Sequence, residues 1–270
     1  SAAKKYLIIN GVECDPGLIH DKWLLYNYTD EIYRGIQLLC RCMKFDSVIM
    51  AVKTAEGLNY PKDLIIREVP DYYPVGAERI LVKEILNKTV VHDAIPSKEG
   101  ILVMNVQTVL SIYEAVCKNK KADTKFLTVT DIRKKMGKVV RVRLGTKIHD
   151  IIEAVCPQPG IIFCGGGLMQ ARAADDEDII DKEINFLAAA DYPRYKESPL
   201  CSKCGLCSMN CPAGLRVNAI AALVDEGKLE EAGRLHAVEC IECGSCSFVC
   251  LAERNLSARL KRVKEYLKSK

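Results

Sequence analysis

The chain has 270 residues, 49% of them hydrophobic and 27% charged, with a formal net charge of +4. That is enough chain for two or three domains with real cores, and too small a charge excess to argue for nucleic acid. No apolar run reaches the roughly 18 residues of a membrane span, so membrane attachment is expected only through a partner. Fourteen cysteines and no export signal point to a reducing cytoplasm, with a place at the periphery of a membrane complex left open. The chain opens Ser-Ala-Ala without Met, which reads as a processed chain or a fragment.

From the first residues, Tyr6-Leu7-Ile8-Ile9 reads as a buried strand that ends in the polar loop Asn10 to Gly17. Thr29 and Asp30 are expected to cap a helix with Ile32, Ile36, Leu39 and Met43 on one face. Strands are predicted over 47–52 and 64–69. The turn Tyr72 to Glu78 then opens a helix carrying Ile80, Leu81, Ile85 and Leu86. A strand over 101–104 runs into Asn105-Val106-Gln107-Thr108, which opens a helix to about Val116. Strands alternating with helices predict an α/β layer with a parallel sheet over residues 1–120. Ligands of such sheets sit at the carboxyl ends of the strands, where these loops gather. Asn10 and Asn105 are suited to bonding a flavin ring edge, and the turn at Gly76 to receiving a phosphate or a planar ring. The same residue types are also ordinary turn formers.

Residues 121–190 predict strands over 125–130 and 139–144, a helix capped by Thr146 and running to Val155, and a strand over 161–163. Cys164 is followed by three glycines, which lack the Lys-Ser/Thr of a P-loop and read as a tight backbone turn. The acidic run from Asp175 to Glu183 reads as a solvated loop without the order of an EF-hand.

The densest chemical signal lies in residues 191–270. Cys201, Cys204, Cys207 and Cys211 follow C-x-x-C-x-x-C-x-x-x-C, with Pro212 next, and Cys240, Cys243, Cys246 and Cys250 repeat the spacing. This is the ligand pattern of two 4Fe–4S clusters, in which three thiolates come from one loop and the last Cys of each run serves the other cluster. One cluster is thereby assigned to Cys201, Cys204, Cys207 and Cys250, the other to Cys240, Cys243, Cys246 and Cys211. Zinc is the competing metal, but it favours two separated C-x-x-C pairs, and a third and fourth Cys at short steps do not suit it. Leu215 to Val224 and Leu229 to Leu235 give two helical faces between the runs. The basic tail from Arg259 to Lys270 reads as an amphipathic helix or a docking surface for an acidic partner. Cys40 and Cys117 are expected in the core and Cys14 in the loop after the first strand; His20, His92, His149 and His236 read as structural or surface residues.

Three blocks, Asn10-Gly11-Val12-Glu13-Cys14-Asp15-Pro16, Tyr73-Pro74-Val75-Gly76-Ala77-Glu78 and Asn105-Val106-Gln107-Thr108, resemble one family. It includes the flavin subunit of respiratory complex I, the C subunit of the Rnf complex and the cobalamin reductase of propanediol utilisation. The resemblance implies an FMN site with Asn10, Glu13, Tyr73, Gly76, Glu78, Asn105 and Thr108 as candidates. Leu144-Gly145-Thr146, followed by Ile148, Ile151 and Ile152, resembles the family's small β-grasp module, SLBB. The helices between the cysteine runs resemble an α-helical ferredoxin. This chain departs from complex I at Val12 and Ala77, where an acid and a Glu stand, and at Leu251, where the second run lacks the usual Pro. The family's glycine-rich loop, which covers the FMN phosphate and helps to hold NADH, belongs before Tyr6, and no Gly occurs before Gly11. A complete NADH site is therefore not expected from these residues.

The expectation is an electron-transfer iron–sulfur protein, with a flavin splitting electron pairs and two clusters carrying single electrons between a flavin or NADH-type donor and a partner redox enzyme. The alternative is a non-enzymatic ferredoxin-like carrier whose first two domains are a docking scaffold without flavin.

Overall fold

The structure is a computed structural model and describes residues 5–88, 96–191 and 197–270. His92 lies outside the described residues. The chain divides into two compact units, residues 1–191 and 192–270.

The first unit begins with β1 (Tyr6–Asn10), α1 (His20–Asn27), α2 (Thr29–Cys42), β2 (Ser47–Val52), β3 (Ile65–Glu68), α3 (Glu78–Leu86), β4 (Ile101–Asn105) and α4 (Val106–Lys118). Its four strands pair in parallel in the order β3-β2-β1-β4. Alternation along β1 explains why helices cover both faces: Leu7 and Ile9 join the core under α1, α2 and α4, while Ile8 joins the core under α3 with Leu81 and Val82. Each of these side chains is fully buried, worth roughly 1.5–3 kcal/mol apiece relative to exposure. Gly35 lets α2 and α4 touch, since a Cβ there would lie 2.6 Å from the Val109 carbonyl oxygen.

The strand order places a topological switch between β1 and β4. The chain leaves β1 toward β2 on one side and returns to β4 on the other, which opens a crevice at the carboxyl ends of the two strands. Asn10 and Asn105 end those strands in register, side by side.

The same unit continues with β5 (Thr124–Asp131), β6 (Met136–Arg143), α5 (Ile148–Val155), β7 (Ile161–Gly165), β8 (Arg172–Ala173) and β9 (Phe186–Ala190). These strands form a mixed sheet in the order β6-β5-β9-β7-β8, with β5 and β9 parallel and the other pairs antiparallel. Its core joins Leu127, Val129 and Leu187 to the apolar face of α5. The expected boundary near residue 120 falls between α4 and β5, inside one compact unit. Trp23, Tyr28 and Phe126 stack at 5.5–5.8 Å between centroids and tie the two sheets together.

Several local expectations are corrected. Thr29 does not cap α2: its hydroxyl donates back to the Leu25 carbonyl at 3.0 Å, because α1, which shows no clear helical period, ends just before it. Thr146 does not cap α5 either; the N-cap position is Lys147, and its side chain makes no capping bond. Cys40 and Cys117 are exposed, because both helices bury the opposite face. Gly166 and Gly167 lie in the expected turn, which joins β7 to antiparallel β8, but none of the glycines 165–167 has a left-handed φ, so what they supply is close approach. A Cβ on Gly167 would fall 2.3 Å from the Asp15 carboxyl carbon. Part of the acidic run is engaged: Asp178 grips Arg172 through both oxygens at 2.6 and 2.7 Å.

The second unit comprises α6 (Leu206–Met209), α7 (Val217–Asp225), α8 (Leu229–Arg234), α9 (Ser245–Phe248) and α10 (Leu256–Lys268). It is an internal duplication with an offset of 39 residues. Gly205 and Gly244 start α6 and α9 with φ of 78° and 77°, and Lys203 and Glu242 sit at 55° and 56°. Ser208 and Ser247 then accept the amide hydrogens of Asn218 and Ser257 at the starts of α7 and α10. The core joins Val217, Ile220 and Val224 to Leu256, Leu260 and Val263. No helix among the described residues is long and apolar enough to cross a membrane.

Candidate functional sites

The second unit holds the clearer site. One cavity is lined by Cys201, Cys204, Cys207 and Cys250, together with Arg254. Another is lined by Cys211, Cys240, Cys243 and Cys246. Each triad from one loop thus meets the last cysteine of the other run. Among the described residues, no three His, Cys, Asp or Glu side chains converge closely enough for one metal ion; the thiols of each set ring a space instead. The loops also supply N–H groups: the Lys203 amide donates to Cys201 Sγ at 3.4 Å and the Glu242 amide to Cys240 Sγ at 3.4 Å. Both donors are the left-handed residues noted above, which turn their amides inward.

The two sites differ in exposure. Cys201 and Cys204 are exposed, whereas Cys243 and Cys246 are buried. Burial pushes the Cys246 thiol up to about 12 and raises Cys207 and Cys240, while the Leu206 amide and Ser202 hold the exposed Cys204 below the usual thiol range. Buried thiols ionise only when a cationic group compensates them, which suits metal-bound thiolates.

In the first unit, the crevice between β1 and β4 gathers part of the candidate set. Asn10 Nδ2 donates to the Gly76 carbonyl at 2.9 Å, and its Oδ1 accepts the Val12 amide at 3.0 Å. Asn105 caps α4 by accepting the Gln107 amide at 2.8 Å, and its Nδ2 donates to Asp21 Oδ2 at 2.7 Å. Glu13 accepts the Asp21 and Lys22 amides at 2.8 and 3.2 Å, satisfying two orphan donors at the start of α1. Both carboxamides therefore hold loops, and each keeps one amide hydrogen and one lone pair for other bonds. Gly76 lies against Val12 and Cys14, where a Cβ would come within 2.7 Å of the Val12 oxygen. Tyr73 is half-buried, in a cis bond to Pro74. Glu78 and Thr108 stand in the first turns of α3 and α4, and both are exposed.

Behind this crevice lies a buried polar cluster that sequence patterns did not single out: Asp15, His20, Asp21, Lys125 and Thr128. Asp15 accepts the Leu168 and Met169 amides at 2.7 and 3.1 Å. Thr128 Oγ1 accepts the Ile19 amide at 3.0 Å and lies 3.0 Å from His20 Nδ1. If the hydroxyl donates to Nδ1, the ring proton rests on Nε2, which faces Asp21 Oδ1 at 3.6 Å. Burial raises Asp21 to about 6, lowers His20 to about 4 and lowers Lys125 to about 8; it also raises Glu13, with the Asp21 charge adding to the effect. The only sequence signal was the run of short polar residues after β1.

Comparison with known proteins fits this division. Residues 1–114 match the Nuo51 FMN-binding domain family, and residues 194–251 match the 4Fe-4S dicluster domain family. Among curated relatives, the C subunit of the ion-translocating oxidoreductase complex of Buchnera aphidicola is 26% identical over 259 residues, covering 90% of this chain and 55% of that protein. The corresponding protein of Haemophilus influenzae strain 86-028NP is 31% identical over 228 residues, 78% of this chain and 34% of that protein, and that of Rhodobacter capsulatus is 30% identical over 246 residues, 85% and 47%. The chain thus spans from about a third to little more than half the length of these relatives. Among solved structures, an NAD+-reducing NiFe hydrogenase in the air-oxidized state superposes with a TM-score of 0.63 at 14% identity, covering 99% of this chain and 60% of that one; it is a likeness of fold.

Fold and site together define a redox chain that joins an FMN-binding-type α/β domain to a ferredoxin-type iron–sulfur domain. The chain is RnfC-like, similar over most of its length to Rnf complex C subunits and related to the flavin subunit of complex I.

Proposed function

We propose that this chain is an electron-transfer subunit that passes electrons through two 4Fe–4S clusters, one held by Cys201, Cys204, Cys207 and Cys250, the other by Cys211, Cys240, Cys243 and Cys246. The observation that carries this reading is the exchange of the fourth cysteine between two cavities. Four soft sulfur donors around a space suit a multi-iron core, and the shared ligands keep two such cores close enough for electron exchange. The clusters supply one-electron steps. The protein contributes thiolates, inward-turned amides and an apolar surround.

FMN belongs to the same reading, at the carboxyl ends of β1 and β4. There Asn10 and Asn105 fix the loops in place, Gly76 brings backbone close, and each carboxamide keeps one hydrogen and one lone pair for a ligand. The order β6-β5-β9-β7-β8, with α5 crossing between the hairpin and β7, is that of a β-grasp fold, which supports an SLBB-like module. The relatives' name supports a redox complex as the partner, with the electron acceptor or donor in another subunit. The reading without flavin draws on one observation: both carboxamides already make loop-holding bonds.

The test is anaerobic reconstitution with iron and sulfide, followed by addition of FMN and then NADH. About eight irons per chain and two cluster signals are expected. Zinc binding, or iron in a single site, overturns the cluster assignment. Failure to retain FMN favours the carrier reading, and bleaching of the clusters by NADH extends the site to a nicotinamide donor.

A further inference from the structure

We propose that Arg254 hydrogen-bonds, through its Nε–H, to sulfur of the cluster held by Cys201, Cys204, Cys207 and Cys250, and so sets that cluster's reduction potential above that of its sister. This rests on the two-cluster reading above.

Arg254 lines the first cavity and is 4% exposed. Its Nη2 pairs with Asp225, whereas its Nε is buried with no hydrogen-bond partner in the protein. Buried guanidinium donors are seldom left unpaired, and here the orphan N–H sits on the wall of a thiol-lined cavity, where the Cys201 sulfur interacts with the guanidinium. A sulfur-bearing, negatively charged group in the cavity completes its bonding.

The duplication supplies the internal control. The position equivalent to Arg254 in the first repeat is Leu215, also 4% exposed and part of the apolar core. The second site therefore lacks the corresponding donor. It has a different cation, Lys264, but that ammonium donates to the Cys240 carbonyl at 2.9 Å and pairs with Glu242, so two of its three donors go to oxygen. Asp225 stands at the position equivalent to Lys264, so the charged pairs of the two sites are not copies of one another.

Reduction adds an electron to an already anionic cluster. A hydrogen bond from a cationic donor stabilises the reduced form more than the oxidised form and raises the potential. Solvent acts in the same direction, and the exposed Cys201 and Cys204 belong to the site that has Arg254. Electrons reaching the chain therefore settle on the outer cluster, and flow from the buried centre to the exposed one is downhill.

The test is a redox titration of the fully loaded protein followed by electron paramagnetic resonance, with C250S assigning which signal belongs to the outer cluster. Two cluster signals in the wild-type protein establish the cluster reading independently; their absence defeats that reading rather than this one. R254L, which places the sister site's residue here, is expected to lower the outer midpoint and leave the inner one in place. D225N, which leaves the guanidinium charge less compensated, is expected to raise the same midpoint. If R254L loads only one cluster, D225N decides. Midpoints that stay put in both variants, or that move equally at the two clusters, overturn the proposal.

Discussion

Asp21 and Asn105 meet across the first unit, with Asn105 Nδ2 donating to Asp21 Oδ2 at 2.7 Å, while Asp21 Oδ1 has no hydrogen-bond partner and faces His20 Nε2 at 3.6 Å. The acid is raised by burial to about 6 and the imidazole lowered by burial to about 4. Between pH 4 and 6 the folded state holds more protons on Asp21 than the unfolded chain does, so this residue makes stability fall as pH rises. His20 holds fewer protons when folded, so it makes stability rise over the same window. The two slopes oppose each other. Relative to the wild-type protein, D21N is expected to gain stability as pH rises from 4 to 6, and H20Q to lose it. Urea denaturation at a series of pH values checks both signs; parallel profiles for the three proteins would refute the pairing.

Asn105 serves Asp21 and caps α4 at once. N105A is expected to cost about 1 kcal/mol for the cap and a further 1–3 kcal/mol for the buried carboxylate left without its donor. In the D21N background the second part should largely vanish. A double-mutant cycle by chemical denaturation measures that coupling.

Asp15 and Gly167 lock the loop after β1 to the second sheet. D15A removes a carboxylate that accepts three amides, two of them from the second sheet's loop, an expected loss of roughly 1.5–3 kcal/mol. G167A pushes a methyl into the same carboxylate and is expected to cost about 1–3 kcal/mol. Because both changes strike one contact, their combination should fall short of the sum, as read from denaturation midpoints.

The exchange of cysteines makes a crossed prediction. C250S lies in the second run but is expected to remove the cluster of the first triad, and C211S the reverse. Each variant should keep about half of the wild-type iron, with different surviving spectra. Loss of the cluster belonging to the mutated run would show that each run is self-contained.

Close packing of α2 on α4 through Gly35 gives a simpler test. A Cβ there would meet the Val109 carbonyl, which belongs to helix backbone and has little room to yield. G35A is expected to destabilise the first unit by about 1–3 kcal/mol without altering cluster loading. Thermal denaturation together with an iron assay distinguishes the two effects.

Much of the architecture was written in local patterns. The apolar strand over residues 6–9, the helix opened by Asn105, the helix carrying Leu81 and the amphipathic tail all follow from periodicity and capping, and the structure has them as β1, α4, α3 and α10. Helix α1 escaped because its apolar residues, Trp23, Leu24 and Leu25, are consecutive rather than spaced by three or four. Strand β9, Phe-Leu-Ala-Ala-Ala, was missed because four of its five residues favour helix in isolation; burial between β5 and β7 overrides that preference. The candidate set around the crevice was read as ligands, whereas Asn10, Glu13 and Asn105 also spend bonds on fixing the loops that surround them.

The chemistry shared by neighbours along the chain could be read from their order alone: three thiols in each tight loop, repeated at a constant offset, and strands that alternate with helices. Folding had to bring together the rest. It sets Arg254 beside one group of thiols while Leu215, the equivalent position of the first repeat, goes into the apolar core, and it buries Asp21 against Asn105 and His20. Ligand spacing is fixed by covalent distance within a few residues, whereas burial and pairing join residues far apart in the chain and depend on how the core packs.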